Sequence, residues 1–271
     1  MPPLAALNLM LSTAIHLVLV GSALVGTLMF LLWLLHLRLN NASVVDPGWA
    51  YGLAILAIAY AVMGPGYGAR RWLGAGMAAL WGARLGTYLL LRIVGQPEEG
   101  RYQQLRKEWG GNVAPKFLAF FEFQALLDVF LSLPFLLAAL NPKPVLDSLE
   151  YAGVILWIIA LTGEAIADSQ LAAFKREPSS HGQVCQRGLW NYSRHPNYFF
   201  EWLIWVAWAL FALASPYGWL ALACPLLMLY FLLRVTGIAA TEAQALRSKG
   251  DAYRRYQQTT SAFVPWCKRL A

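Results

Sequence analysis

The sequence predicts an all-α, polytopic membrane bundle of about seven transmembrane helices, with the N-terminus outside and the C-terminus cytoplasmic. The first observation is composition. With 59% hydrophobic residues, 13% charged and 12 tryptophans in 271 residues, the chain does not have the make-up of a water-soluble globule. The second is length: a spanning helix needs roughly 20 mostly apolar residues, and seven stretches qualify, near 14–37, 48–64, 72–94, 117–140, 150–173, 198–214 and 216–234. The second and sixth are short, so six to eight crossings are compatible with the pattern. The third is charge asymmetry. Arg38, Arg101, Arg106, Lys107, Lys116, Lys175, Arg176, Arg187, Arg194 and the basic residues from Arg247 onward fall on one side of such a bundle, whereas the opposite loops hold Arg70, Arg71 and Lys143.

The same features narrow the function classes. A net charge of +7 reads as membrane topology and contact with anionic lipids. Nucleic acid is not an expected partner, because no basic segment is interleaved with a binding motif. Cys185, Cys224 and Cys267 are scattered without a CxxC, and His16 and His36 sit at packing spacings, so neither a disulfide framework nor a metal site is expected. There is no GxGxxG or GxxxxGK[ST], and any nucleotide would have to sit inside the helical bundle. Residues 1–271 read as one domain. No basic residue precedes the first apolar run, so no cleaved leader is expected.

In chain order, the first span ends at Arg38-Leu39-Asn40-Asn41, and Asp46-Pro47 follows at the start of the second. Asp46 suits a helix cap and, equally, an acid at the cytoplasmic mouth of the bundle. Gly64-Pro65-Gly66-Tyr67-Gly68 is a turn. In the third span Trp81, Arg84, Tyr88 and Arg92 step by three, four and four and form one stripe, with Arg84 roughly 12 Å deeper than Arg92. An arginine at that depth needs a partner or water; it either joins a structural ion pair or lines a pocket for an anionic ligand. Residues 95–116 read as a short amphipathic surface helix whose charges are mostly solvated. The fourth span carries Glu122, Gln124 and Asp128, and the fifth Glu164 and Asp168, with four-residue steps from 124 to 128 and from 164 to 168. Acids recurring at matching depth predict a polar cavity open to the cytoplasm.

The most informative stretch is Gly188-Leu189-Trp190-Asn191-Tyr192-Ser193-Arg194-His195-Pro196-Asn197-Tyr198-Phe199-Phe200-Glu201-Trp202, where a polar loop runs into an apolar segment. Pro196 suits a helix start. Asn197 and Glu201 then share a face, and Arg194 and His195 flank its entrance. The seventh span ends at Arg234, and the tail from Asp251 to Trp266 has the aromatic and basic residues of a helix at headgroup level.

Gly-Leu-Trp-x-Tyr-Ser-Arg-His-Pro-Asn-Tyr-x-x-Glu-Trp at 188–202 and Gly-Asp-Ala-Tyr-Arg-x-Tyr-x-x-x-Thr-Ser-Ala-Phe-x-Pro-Trp at 250–266 resemble the DUF1295 family, which is related to the steroid 5-alpha-reductases. The resemblance is specific in the C-terminal half and weaker in the N-terminal half. It implies a seven-helix reductase that holds NADPH within the bundle and reduces the carbon–carbon double bond of an enone-bearing steroid or similar lipid. Asn197 and Glu201 match the reductases' Asn-x-x-x-Glu, Asp168 an acid 29 residues before that asparagine, and Arg234 the arginine ending the last span. Beyond those four, the expected cofactor set includes His195 and Tyr198 of the motif and Arg84 of the third span, with Arg101, Arg187 and Arg194 meeting the phosphates from the cytoplasmic side. Asp46 stands near the family's catalytic glutamate. Trp81 falls where the catalytic tyrosine belongs, which leaves Tyr88 as the substitute partner of Asp46.

Arg194-His195-Pro196-x-Tyr198 and the Tyr-x-x-Tyr of the tail also resemble membrane methyltransferases of the isoprenylcysteine and phospholipid type, which use S-adenosylmethionine; a non-enzymatic lipid-binding protein is a third reading. Asn197 and the intramembrane acids favour the reductase. The expected mechanism is hydride transfer to the beta carbon of an enone, an acid polarising the carbonyl. The expected setting is a monomer in the bacterial inner membrane or endoplasmic reticulum, with substrate entering from the bilayer and NADPH from the cytoplasm.

Overall fold

The computed structural model describes residues 4–268. It is 80% helical, and no strand forms among the described residues. Along the described residues ten α-helices follow one another: α1 (Leu4–Leu39), α2 (Val45–Met63), α3 (Gly68–Ile93), α4 (Gly100–Trp109), α5 (Ala114–Leu131), α6 (Leu133–Leu140), α7 (Ser148–Arg176), α8 (Pro196–Ala212), α9 (Ala223–Tyr230) and α10 (Ile238–Thr259). A π-helical turn, Phe231–Val235, follows α9.

Among the described residues four segments are long and apolar enough to cross a membrane: Asn8–Leu39, Ala42–Met63, Ser148–Arg176 and Gly218–Thr259. The bent pair α5 and α6 makes a fifth if it is one span. Two of the seven expected spans fall outside this set for separate reasons. Helix α3 is long enough, but Arg84 in its middle and Gly74, Gly76, Gly82 and Gly86 lower the apolarity of the stretch between Arg71 and Arg92. Helix α8 has 17 residues, about 25 Å at 1.5 Å per residue against a hydrocarbon thickness of about 30 Å.

The chain divides into two compact units, residues 1–148 with 212–220 and residues 149–211 with 221–271. In the first, α2 is the hub, packing on α1, α3, α5 and α6. Apolar helices gain little from burial against one another in lipid, so close backbone approach through small residues has to supply the attraction. Gly82 of α3 provides it: a Cβ there would lie 2.7 Å from the Ala50 carbonyl and 2.9 Å from the Ala54 Cβ of α2. Trp81 beside it is fully buried, edge-on to Trp49 at 5.7 Å. Helices α5 and α6 meet at 41° around Ser132, just before Pro134, whose ring removes a helical N–H.

Two of the basic residues that run against the charge asymmetry are carbonyl ties. Arg70 is fully buried and donates to the carbonyls of Asn141 (3.1 Å), Lys143 (2.7 Å) and Val145 (2.6 Å). Arg71 donates to those of Ala61 (2.5 Å) and Gly64 (2.6 Å) at the C-terminus of α2, where helix carbonyls lack intrahelical donors.

In the second unit α7 and α8 approach through Gly153, where a Cβ would sit 2.9 Å from the Ala207 carbonyl. The linker after α7 is pinned by Trp190, whose indole donates to the Ala167 carbonyl (2.8 Å), and by the Leu189 N–H, which donates to Gln170 Oε1 (2.9 Å). Helix α10 is amphipathic and kinked at Gly250, whose φ of 52° with ψ of −127° lies where a side chain would be strained.

Candidate functional site

In the second unit, the start of α8 gathers the residues singled out by the sequence. Pro196 opens the helix, so Asn197 and Glu201 stand one turn apart on it. Asn197 Nδ2 donates to Asp168 Oδ1 of α7 at 3.2 Å. An ionised carboxylate cannot donate, so this contact fixes the amide with its nitrogen toward Asp168. Asn197 Oδ1 is enclosed and accepts no hydrogen bond among the described residues. Glu201 is 8% exposed and accepts from the Trp205 indole one turn later at 3.0 Å. Three acceptor groups, Asp168, Asn197 Oδ1 and Glu201, therefore belong to two neighbouring helix faces, and a buried polar ligand offering N–H or O–H groups would complement them.

Arg194, expected to meet a phosphate, and His195, expected at the cofactor, both turn to a carboxylate of α10. Arg194 Nε donates to Glu242 Oε1 of α10 at 2.6 Å, and its Nη1 to the carbonyls of Gln257 (3.0 Å) and Thr260 (2.6 Å). His195 Nε2 lies 3.2 Å from the same carboxylate oxygen, and Gln257 Nε2 donates to Glu242 Oε2 at 2.8 Å. Glu242 is the hub that sequence reasoning missed. Its only signal was an acid early in a basic tail, with no cation three or four residues away to pair with. Around it the two motifs fold onto each other. The Arg194 N–H donates to the Ser261 carbonyl (2.8 Å), the Trp266 N–H to the Tyr192 carbonyl (2.9 Å) and Ser193 Oγ to the Phe263 carbonyl (2.8 Å). Tyr256 donates to the carbonyls of Trp190 and Ser193.

Tyr198 stacks parallel on His195 at 5.4 Å, and its hydroxyl lies 3.3 Å from Thr241 Oγ1. Arg234 is exposed in the π-helical turn, a feature often found at functional positions. Arg187 pairs with Glu177 at 2.5 Å, and that hydrogen bond raises its pKa.

The first unit holds Asp46, Tyr88, Arg84 and Arg101. Asp46 is a double acceptor: Tyr102 donates to Oδ1 at 2.5 Å and Arg101 to Oδ2. Tyr88 is 44% exposed, and no hydrogen bond joins it to Asp46 among the described residues. Arg84 is half-buried with Nε and one Nη shielded from solvent. The stripe expected on α3 thus runs from buried Trp81 to exposed Tyr88 and Arg92.

Helix α4 forms where expected, and Arg101, Lys107 and Glu108 on it are exposed, but Glu98 and Glu99 just before it and Arg106 on it are engaged. Glu98 accepts from the Ala42 N–H (2.7 Å) and pairs with Arg106 (2.7 Å), which also reaches His36 Nε2 (3.0 Å). The Glu99 N–H donates to Ser43 Oγ (2.9 Å), and Glu99 pairs with Arg92. Burial opposes the charge of Arg101, but Asp46, Tyr102 and Glu99 outweigh it and its pKa is raised. Burial and Asp46 push the Tyr102 phenol up, so it keeps its proton and remains a donor. Tyr102 is the second missed residue. Tyr102, Leu105 and Trp109 step by three and four along an otherwise polar helix, which marks the face that must be buried.

A model of the family DUF1295, described as a protein of unknown function, matches residues 32–260, and the chain belongs to that family. No curated protein and no solved structure matches it.

Proposed function

We propose that this member of the DUF1295 family is an NADPH-dependent membrane reductase of the carbon–carbon double bond of an enone-bearing steroid or similar lipid, with about seven crossings and its site open to the cytoplasm. The observation that carries the reading is the enclosed Asn197 Oδ1, left as an acceptor by an amide whose nitrogen is held on Asp168. A buried acceptor without a donor costs about 1–3 kcal/mol, so the position is suited to a ligand that brings one. A carboxamide N–H and ribose hydroxyls are donors of the required kind, and Glu201, one turn along α8, is a further acceptor for them. Asp168 orients Asn197, and Trp205 orients Glu201. Arg234 and Arg187, both exposed, are the guanidinium groups best suited to cofactor phosphates. When bound, NADPH supplies the hydride.

Carbonyl polarisation calls for a group that carries a proton. Asp46 accepts on both oxygens and takes up the single O–H of Tyr102, so in this arrangement the exposed phenol of Tyr88 takes that role.

The test is ligand-induced thermal stabilisation of the purified full-length protein by NADPH, NADH and S-adenosylmethionine, repeated with Asn197→Ala. Stabilisation by NADPH that the variant loses supports the reading. Stabilisation by S-adenosylmethionine alone would replace it with a methyltransferase.

A further inference from the structure

Away from the candidate site, the second unit contains a cavity of about 490 Å³ between the 182–186 loop and the C-terminal part of α10, lined by Gln183, Gln186, Arg255, Thr259 and Lys268 among others. Two cations line it and no carboxylate does. The nearest acid in sequence, Asp251, is engaged by Arg254 at 3.0 Å. The Arg255 guanidinium makes no hydrogen bond or ion pair among the described residues, although it borders a polar wall. Lys268 Nζ donates to Gln186 Oε1 at 2.8 Å, which leaves the Gln186 amide nitrogen as a further donor. The wall is thus rich in donors and positive charge, and a phosphate is the ligand chemistry it complements.

A second cavity of about 220 Å³, lined by Tyr192, Pro265, Trp266 and Cys267, is apolar. The chain passes from one to the other in a single step, since Cys267 borders the apolar cavity and Lys268 the basic one. Trp266 is 71% exposed and Val264 49%. Aromatic residues of this kind settle at the headgroup level of a bilayer, and basic clusters beside them attract anionic lipids. A free phosphate or a soluble nucleotide would complement the basic cavity alone, whereas a phospholipid complements both.

We propose that the basic cavity around Arg255 and Lys268 binds the phosphate headgroup of an anionic phospholipid, whose apolar portion lies along Trp266 and Pro265. This assignment is independent of the reductase reading. It concerns the side of the chain that charge asymmetry assigns to the cytoplasm.

The experiment is native mass spectrometry of the full-length protein released from nanodiscs of phosphatidylcholine containing a titrated fraction of phosphatidylglycerol. The wild type is compared with Arg255→Gln/Lys268→Gln, with Arg255→Lys, and with the charge-matched control Arg38→Gln/Lys107→Gln. The wild type and the control should retain a phosphatidylglycerol that the double variant binds at least about tenfold more weakly. Arg255→Lys should keep most of the binding, which separates lost charge from lost fold. Inorganic phosphate and NADPH, added at millimolar level, should leave the lipid in place. Equal loss in the control, or displacement of the lipid by either soluble phosphate, overturns the proposal.

Discussion

Glu242→Ala should detach the C-terminal tail from the start of α8 without unfolding the helices. The wild-type carboxylate accepts from Arg194 (2.6 Å), His195 (3.2 Å) and Gln257 (2.8 Å), with the Arg194 and Glu242 side chains only 10% and 15% exposed. Removing one partner of a fully buried pair costs about 3–5 kcal/mol, because the other charge is left stranded. Arg194 keeps the carbonyls of Gln257 and Thr260, so the lower end, about 3 kcal/mol, is the appropriate figure. At 1.4 kcal/mol per tenfold, local opening should rise by about a hundredfold. Amide hydrogen exchange reads this at two N–H groups, those of Arg194 and Trp266, which donate to the Ser261 and Tyr192 carbonyls. Glu242→Gln, which preserves shape and one acceptor, should lie in between. Arg194→Met/Glu242→Leu should recover most of the protection, since an apolar pair strands no charge. Unchanged exchange at both amides in Glu242→Ala would falsify the hub assignment.

Asn197→Ala and Glu201→Gln should each weaken NADPH binding by roughly tenfold to a hundredfold with helicity retained; titration that finds wild-type affinity in both would remove them from the site. Tyr88→Phe and, as a control for the Asp46 tie, Tyr102→Phe should be compared in single-turnover reduction with NADPH prebound. Tyr88→Phe should lose about 10²–10³ in the chemical step, as for deletion of an oxyanion-hole donor, with cofactor affinity intact. If neither changes the rate, the donor lies elsewhere. Gly82→Val should be poorly folded, because even a Cβ would meet the Ala50 carbonyl at 2.7 Å; a wild-type melting temperature would show that α2 and α3 can separate at no cost.

The helical membrane class was legible because hydrophobicity and helix period are local properties. The Asp168, Asn197 and Glu201 constellation was legible because two of its members share one helix turn. Glu242 and Tyr102 were not, for a common reason. Each owes its position to a partner far along the chain: Glu242 meets Arg194 at a separation of 48 residues, and Tyr102 meets Asp46 at 56. Nothing in local spacing encodes that pairing. The tie from Arg194 to Glu242 was hidden on the same ground, since an arginine beside a motif looks the same whether its fork meets a phosphate or a carboxylate of its own chain. The span count differs at α3, where Arg84 lies in the middle of the stretch and lowers its apolarity, and at α8, which has 17 residues.

The two units solve one physical problem with the same chemistry. A helix that leaves an apolar environment presents polar loops and unsatisfied backbone groups at its end, and these must be fixed without flexible surface lysines. In the first unit, Asp46 binds Arg101 and the Tyr102 phenol and so fixes α4 to the start of α2. In the second, Glu242 binds Arg194 and His195 and so fixes α10 to the start of α8. In both cases a carboxylate takes an arginine together with a second donor from the adjacent residue. Arginine serves here because its planar fork reaches a carboxylate and backbone carbonyls at once, as Arg194 does with Gln257 and Thr260. An acid used in this way is an acceptor with its oxygens filled. The acceptor left over at the candidate site is Asn197 Oδ1, a neutral amide oxygen, and that is why the proposed ligand recognition is built around Asn197, with Glu201 one turn along.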